Sequence, residues 1–544
     1  MCFRFKPLAS EVQSLYNGAV KSASLPLALA ASLSLLAPPL FAQPKAGDLI
    51  LQAGFEGSNV LQTWSAEQNS HVRLAAGHHS THSLELTAPV AVTSNVLVRL
   101  ALPVARLRGA RLQCRAMVKA DGVTQPPQPY NGIKFMLHLS GPGGDAWLQQ
   151  NSVFGSFDWK SVRFNATVPD DVTSAELILG LEAVNGRASF DDLALTVLRG
   201  PRVRPATPPK GPPFTGHDEP RLRGAMIHPD ISADSLRTLG QEWQANLIRW
   251  QLIRYGAAAK ITDLAAYDQW LEGELRKLDA ALPLCEQYGL RVVLDLHSPP
   301  GGTPTASGYV GSDTGLFTNR AAQVKFVQLW QKVALRYRDS KVIWGYDLAN
   351  EPVEEEVGDG CDDWQALATR TARAVREIDP RRAIIIEPSP WGGPEALKNL
   401  DPIPVPGVVY SVHVYVPHQF THQSIHGNPS GVRYPGTIAG QAWDKTRLRQ
   451  ALQPVLDFQR DFGGHFYIGE FSAIRWAPDD SAARYLQDCV ELFEEHGWDW
   501  SYHAFREWDG WSVEHGSDPQ KHERSATPTS REQLLRTWFG KNVK

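Results

Sequence analysis

The chain has 544 residues, with 54 Lys and Arg against 58 Asp and Glu, a formal net charge of -4, and 42% hydrophobic and 21% charged residues. These proportions are those of an ordinary globular protein and leave no basic field that would attract nucleic acid. The length is enough for two domains with appendages, because a barrel of eight β-α units takes 250 residues or more as one unit.

In chain order, the first feature is a short apolar run, Leu25 to Leu36, that follows Lys21 and leads through Pro38-Pro39 to Phe41-Ala42-Gln43. It has the layout of an export signal and is too short to span a bilayer. Residues 1–42 are therefore expected to be removed, leaving a secreted protein that begins near Gln43, which N-terminal sequencing reads directly. Cys114, Cys285, Cys361 and Cys489 remain, spaced too widely for a disulfide framework or a metal-ligand pattern.

From Asp48 to about residue 200 the hydrophobic period is two. Leu112, Cys114, Ala116 and Val118 alternate with polar residues, as do Ile133, Phe135, Leu137 and Leu139, then Val162, Phe164, Ala166 and Val168, then Leu177, Leu179 and Leu181. Short alternating strands separated by turns predict an all-β antiparallel sandwich. Gly54-Phe55-Glu56, Phe157-Asp158-Trp159 and Phe190-Asp191-Asp192 make this segment resemble the family 4 and 9 type of carbohydrate-binding jelly roll. That resemblance implies a structural calcium on Glu56 and Asp191, oxygen ligands of the kind a hard cation takes; surface carboxylates at strand ends are the other reading. Trp64, Tyr130 and Trp147 are the candidate sugar-stacking residues, and Trp159 is expected in the core.

Residues 201–216 open with Pro-Arg-Val-Arg-Pro-Ala-Thr-Pro-Pro-Lys-Gly-Pro-Pro. Such proline density predicts an extended, semi-rigid spacer that packs into neither neighbour.

Across residues 217–540 strands and helices alternate. Strands are expected at Arg223 to His228, Ala245 to Leu252, Arg291 to His297, Val342 to Leu348, Ala383 to Glu387, Val408 to Tyr415, His465 to Glu470 and Trp500 to Phe505. Several are continuous apolar runs, as strands buried on both faces must be. Between them, Leu271, Leu275, Leu278, Leu282 and Cys285, and Val327, Trp330, Ala334 and Tyr337, recur at helical spacing. Eight such units predict a (β/α)8 TIM barrel, whose working residues sit where the strands end. The fourth strand runs into Asn350-Glu351-Pro352 and the seventh into Glu470-Phe471, which puts two carboxylates at one face. Glycosidic cleavage needs such a pair.

With these positions in order the segment resembles glycoside hydrolase family 5, the cellulase-type retaining β-glycosidases. The matching residues are Arg249, His297, Asn350, Glu351, His413, Tyr415 and Glu470, with Trp508 chosen over Phe505 as the eighth-strand aromatic under the sugar. The resemblance implies Glu351 as acid/base, Glu470 as nucleophile and no cofactor for catalysis. Glu354 to Glu356 are expected to be a solvated loop, because adjacent like charges repel; Glu387 either touches substrate or pairs with a basic residue. His418, His422 and His426 lack the fixed spacing of a metal site.

The expected activity is cleavage of a β-linked polysaccharide, first an endo-β-1,4-glucanase. Exo-acting β-glucosidase or β-1,3-glucanase, mannanase, glycan-remodelling transglycosylase and a non-catalytic glycan-binding protein stay open. A glycan is the expected partner, and a monomer the expected state.

Overall fold

The computed structural model describes residues 43–542 except 67, 91–94, 143, 208, 256–261, 303–313 and 359. The export signal expected over residues 1–42 lies outside the described residues.

The front of the chain is an antiparallel sandwich, as its period-two pattern predicts. One sheet has the order Val72–Ala75, Ser83–Ala88, Gly186–Arg199, Arg111–Val123, Gly155–Thr167, with Leu49–Ala53 added on Gly186–Arg199; the other runs Val96–Ala101, Ser174–Glu182, Gly132–Gly141, Gly144–Gln149. The alternating residues, including Leu112, Cys114, Phe135, Leu137, Phe164, Leu177 and Leu179, all turn inward and form one core.

Trp64 belongs to that core too: it is fully buried against Phe55, which corrects its reading as a sugar-stacking residue. Trp159, expected in the core, is instead half-buried beside the His78 ring. Tyr130 and Trp147 are 57% and 51% exposed, and Trp147 lies flat on His138 with ring centroids 3.6 Å apart.

The calcium reading is not supported by the arrangement of Glu56 and Asp191. Asp191 accepts hydrogen bonds from the His78 N–H (2.8 Å), the Ser80 hydroxyl (2.5 Å) and the Asp192 N–H (2.7 Å), and Glu56 accepts from the His82 N–H (2.6 Å). These backbone and hydroxyl donors already satisfy the two carboxylates without a cation.

The second half is a closed parallel barrel of eight strands: Arg223–Ile227, Leu247–Gln251, Arg291–Asp295, Ile343–Asp347, Ala383–Ile386, Val408–Val414, His465–Phe471 and Asp499–Phe505. All eight fall where the apolar runs predict them. Leu247, Val293, Trp344, Ile385, Val409 and Tyr467 fill the barrel's interior, while the opposite faces pack against the helices. Helix Leu264–Tyr288 buries Leu271, Leu275, Leu278 and Cys285; Asp263 caps its start by accepting from the Ala266 N–H, and Gly289, at φ 72°, ends it. Among the described residues no helix is long and apolar enough to cross a membrane.

The proline-rich segment does not behave as a free spacer. Arg202 reaches Asp401 (3.0 Å), joined there by Arg199 (3.1 Å) at the end of the last sandwich strand; Arg202 also donates to the carbonyls of Leu397 (2.9 Å) and Leu400 (2.5 Å), and Arg204 faces Asp461 at 3.3 Å. Proline fixes the backbone but leaves the intervening arginines long enough to strap it onto the barrel. The acidic run Glu354 to Glu356 is likewise not a solvated loop: Glu354 is buried against Arg111, and Glu356 lies 3.3 Å from Arg163, both residues of the sandwich.

Candidate active site

The parallel strands end together at one face, and the polar residues there converge on Arg249 of the second strand, which is fully buried. Its guanidinium donates to Glu470 (2.5 Å), Asp347 (2.9 Å), Glu387 (2.9 Å) and Asn350 (3.1 Å) and stands 3.1 Å from Asp295. A charge taken out of water must be paired and hydrogen-bonded. Here five side chains from the third, fourth, fifth and seventh strands share that task, so the cation also sets the spacing of the carboxylates.

Glu351 follows the fourth strand with φ +39°, a conformation that costs a side-chain-bearing residue about 1–3 kcal/mol. Its N–H donates to Glu387 Oε2 (2.8 Å), and its carboxylate meets His413 Nδ1 at 2.8 Å. His413 also lies 3.1 Å from Glu387 and 3.7 Å from Glu470. Burial works against a cationic His413, but Glu387, Glu470 and the hydrogen bond to Glu351 outweigh it and raise its pKa well above the usual value. Oxygens of Glu351 and Glu470 lie within 4.8 Å of each other.

On the seventh strand Glu470 is bound by Arg249 at one oxygen and by the Tyr415 hydroxyl at the other (2.8 Å). Because Tyr415 spends its single proton on Glu470, His503 Nδ1, which contacts the Tyr415 oxygen and lies 3.3 Å from Glu470, must donate rather than accept. His503 Nε2 faces Glu507 at 3.5 Å, so both ring nitrogens look at acceptors and the ring is held as imidazolium.

The two glutamates are pushed apart. Burial raises Glu470, but the nearby His413, His503 and Arg249 overcome it and hold its carboxyl well below the ordinary range. Burial dominates at Glu351, with the negative Glu470 and Glu387 adding to it against His413, and its carboxyl is raised. One environment favours an ionised carboxylate and the other a protonated acid.

Every barrel residue singled out from the sequence lies at this face, but not all meet. Arg249, Asn350, Glu351, His413, Tyr415 and Glu470 form one connected network. His297 joins it through Asp295, which its Nδ1 meets at 2.8 Å. Trp508 stands at the rim, 40% exposed, against Trp476 and Trp511; the eighth-strand side chain beside Glu470 is His503. Phe505 is buried on Trp243. Glu387 is paired inside the network. The network also takes in Asp295, Asp347, His503 and Glu507, of which Leu294-Asp295-Leu296 and Tyr346-Asp347-Leu348 carry a signal in the sequence: a carboxylate inside an apolar strand demands a buried cation. His418 and His422 stack at 3.9 Å, and burial pushes His422 down to about 3, leaving its ring neutral.

The family model described as Cellulase (glycosyl hydrolase family 5) matches residues 211–508, more than half of the chain. Endoglucanase C of Acetivibrio thermocellus is 30% identical over 265 residues, covering 43% of this chain and 74% of that protein. Cellodextrinase A of Ruminococcus flavefaciens is 23% identical over 230 residues, 42% of this chain and 66% of its own. Among solved structures, a mutant form of Thermotoga maritima Cel5A in complex with cellobiose superposes with a TM-score of 0.46 at 22% identity, covering 61% of this chain and all of that one.

Proposed function

We propose that this chain, which belongs to glycosyl hydrolase family 5, the cellulase family of retaining O-glycosyl hydrolases, is an endo-acting β-1,4-glucanase with Glu470 as nucleophile and Glu351 as acid/base. The observation that carries the assignment is the opposite electrostatic bias of two carboxylates whose oxygens lie within 4.8 Å. Retaining enzymes hold their carboxyl groups about 5–5.5 Å apart, whereas inverting ones leave room for a water between them.

In the first step Glu470, kept ionised by Arg249, His413 and His503, attacks the anomeric carbon while Glu351 protonates the departing oxygen. Glu470 then carries the sugar as an ester. In the second step Glu351, now ionised, takes a proton from water as that water attacks the same carbon, and Glu470 leaves as carboxylate. The low pKa of Glu470 suits both roles at neutral pH, since it is charged before attack and a good leaving group after it. The rising limb of the pH profile then belongs to Glu470 and the falling limb to Glu351. The endo and β-1,4 parts of the reading rest on relatives named endoglucanases.

Leaving-group dependence tests the roles. Glu470→Ala is expected to be inactive on every substrate. Glu351→Ala should be slow on polysaccharide yet release phenol in a burst from an activated aryl β-glycoside, then stall because no base activates water. The opposite pattern would reverse the assignment, and a steady fall in viscosity far ahead of reducing-end release separates endo from exo action.

A further inference from the structure

We propose that the front sandwich is a working part of the acid/base machinery: through Arg111 and Asn165 it grips Glu354, and so positions the segment that carries Glu351. The proposal rests on the acid/base role argued above for Glu351.

The sandwich strands Arg111–Val123 and Gly155–Thr167 pair side by side, with Arg111 opposite Thr167 and Arg115 opposite Arg163. Along them Leu112, Val162, Phe164 and Ala166 point inward to the core, so Arg111, Arg163 and Asn165 share the outer face. That face meets the loop after the fourth barrel strand. Glu354 Oε1 accepts from Arg111 and from the Asn165 amide (3.0 Å), and its Oε2 accepts from the Trp364 N–H (2.6 Å) at the start of helix Trp364–Ile378. The Glu354 N–H donates to Ser389 Oγ (3.3 Å), and Arg163 donates to the Val357 carbonyl (3.2 Å). The Glu354 side chain is 1% exposed, so this is a closed socket rather than a surface pairing.

Only Pro352 and Val353, both buried, separate Glu354 from Glu351. Proline cannot absorb a shift by rotating φ, and the Pro352 carbonyl is itself held by the Trp391 N–H at 3.3 Å. A displacement at Glu354 therefore reaches Glu351, whose left-handed backbone persists only while its surroundings over-determine it. Arg111, Asn165 and Glu354 touch neither glutamate and act as positioning residues.

The test compares two substrates in the full-length chain. Glu351 is needed in the first step only for a poor leaving group, so a misplaced Glu351 penalises a β-1,4-gluco-oligosaccharide but spares dinitrophenyl β-cellobioside. Arg111→Met, Glu354→Gln and Asn165→Ala are expected to lower kcat on the oligosaccharide by about tenfold or more, while the dinitrophenol burst rate changes less than about twofold, with Arg111→Lys restoring part of the loss. Asn165→Ala removes one hydrogen bond and no charged side chain, and keeps the test alive should a charge variant fail to fold. Equal losses on both substrates, or no loss on either, would overturn the proposal. Glu351→Ala run alongside separates the two failures: if it too lost both substrates alike, the acid/base reading would fall, and this proposal with it.

Discussion

Arg249 holds the carboxylates together, and His503 is one residue through which pH reaches the fold. Its pKa is pushed up to about 10: burial opposes the charge, and Glu470 first, then Glu507, overcome it. The unfolded ring titrates near 6.5. A group raised on folding stabilises the native state fully below its unfolded pKa and loses that contribution as pH rises through the folded one. Hence the His503 contribution is complete below about pH 6.5 and fades towards about pH 10. Thermal unfolding of the parent should therefore weaken more steeply between those limits than that of His503→Gln, with His413 contributing alike to both. Parallel curves would mean that His503 is neutral in the folded protein. His503 was hard to see in advance because nothing within Trp500 to Phe505 distinguishes a histidine aimed at Glu470 from one that merely fills a strand; its partners Tyr415 and Glu470 lie on other strands.

At the scale of elements, the barrel was legible because strands buried on both faces leave unbroken apolar runs such as Ala383–Ile386, and helices leave a three-and-four rhythm. Glu351 and Glu470 stand out in the sequence because strand ends are where a barrel works. What failed were inferences from residue type about which face a side chain takes. Trp64 is an aromatic turned inward, and Glu354 is a charge in a charge run whose partner Arg111 lies 243 residues away. Strand packing also yields a prediction. A methyl group on Gly469 of strand His465–Phe471 would come within 2.7 Å of Ser411 Oγ and 3.0 Å of His413 Nε2 on the neighbouring strand. Gly469→Ala should thus displace His413 and cut kcat by about tenfold or more while circular dichroism stays unchanged. Full activity in that variant would show that strand spacing does not hold His413 in place.

For the whole molecule, the strapped proline segment and the Glu354 socket make the sandwich and barrel one body. A chain beginning near Pro212 forfeits the anchors of Arg199, Arg202 and Arg204 together with those of Arg111, Arg163 and Asn165. It should melt lower than the full chain and turn over soluble oligosaccharide more slowly, and calorimetry of the full chain should show one transition. Two independent transitions, with an undiminished barrel fragment, would refute this. The docked face belongs to the sheet carrying Arg111 and Asn165, so the sheet bearing Trp147 is the opposite layer of the sandwich. A glycan held there would not meet the cleft at an effective concentration averaged over a swinging tether; it would meet it at one offset, set by the thickness of the sandwich. Two grips so fixed, like the jaws of a caliper, would reward only substrates whose spacing fits, and lengthening residues 201–216 would do nothing to widen the gap.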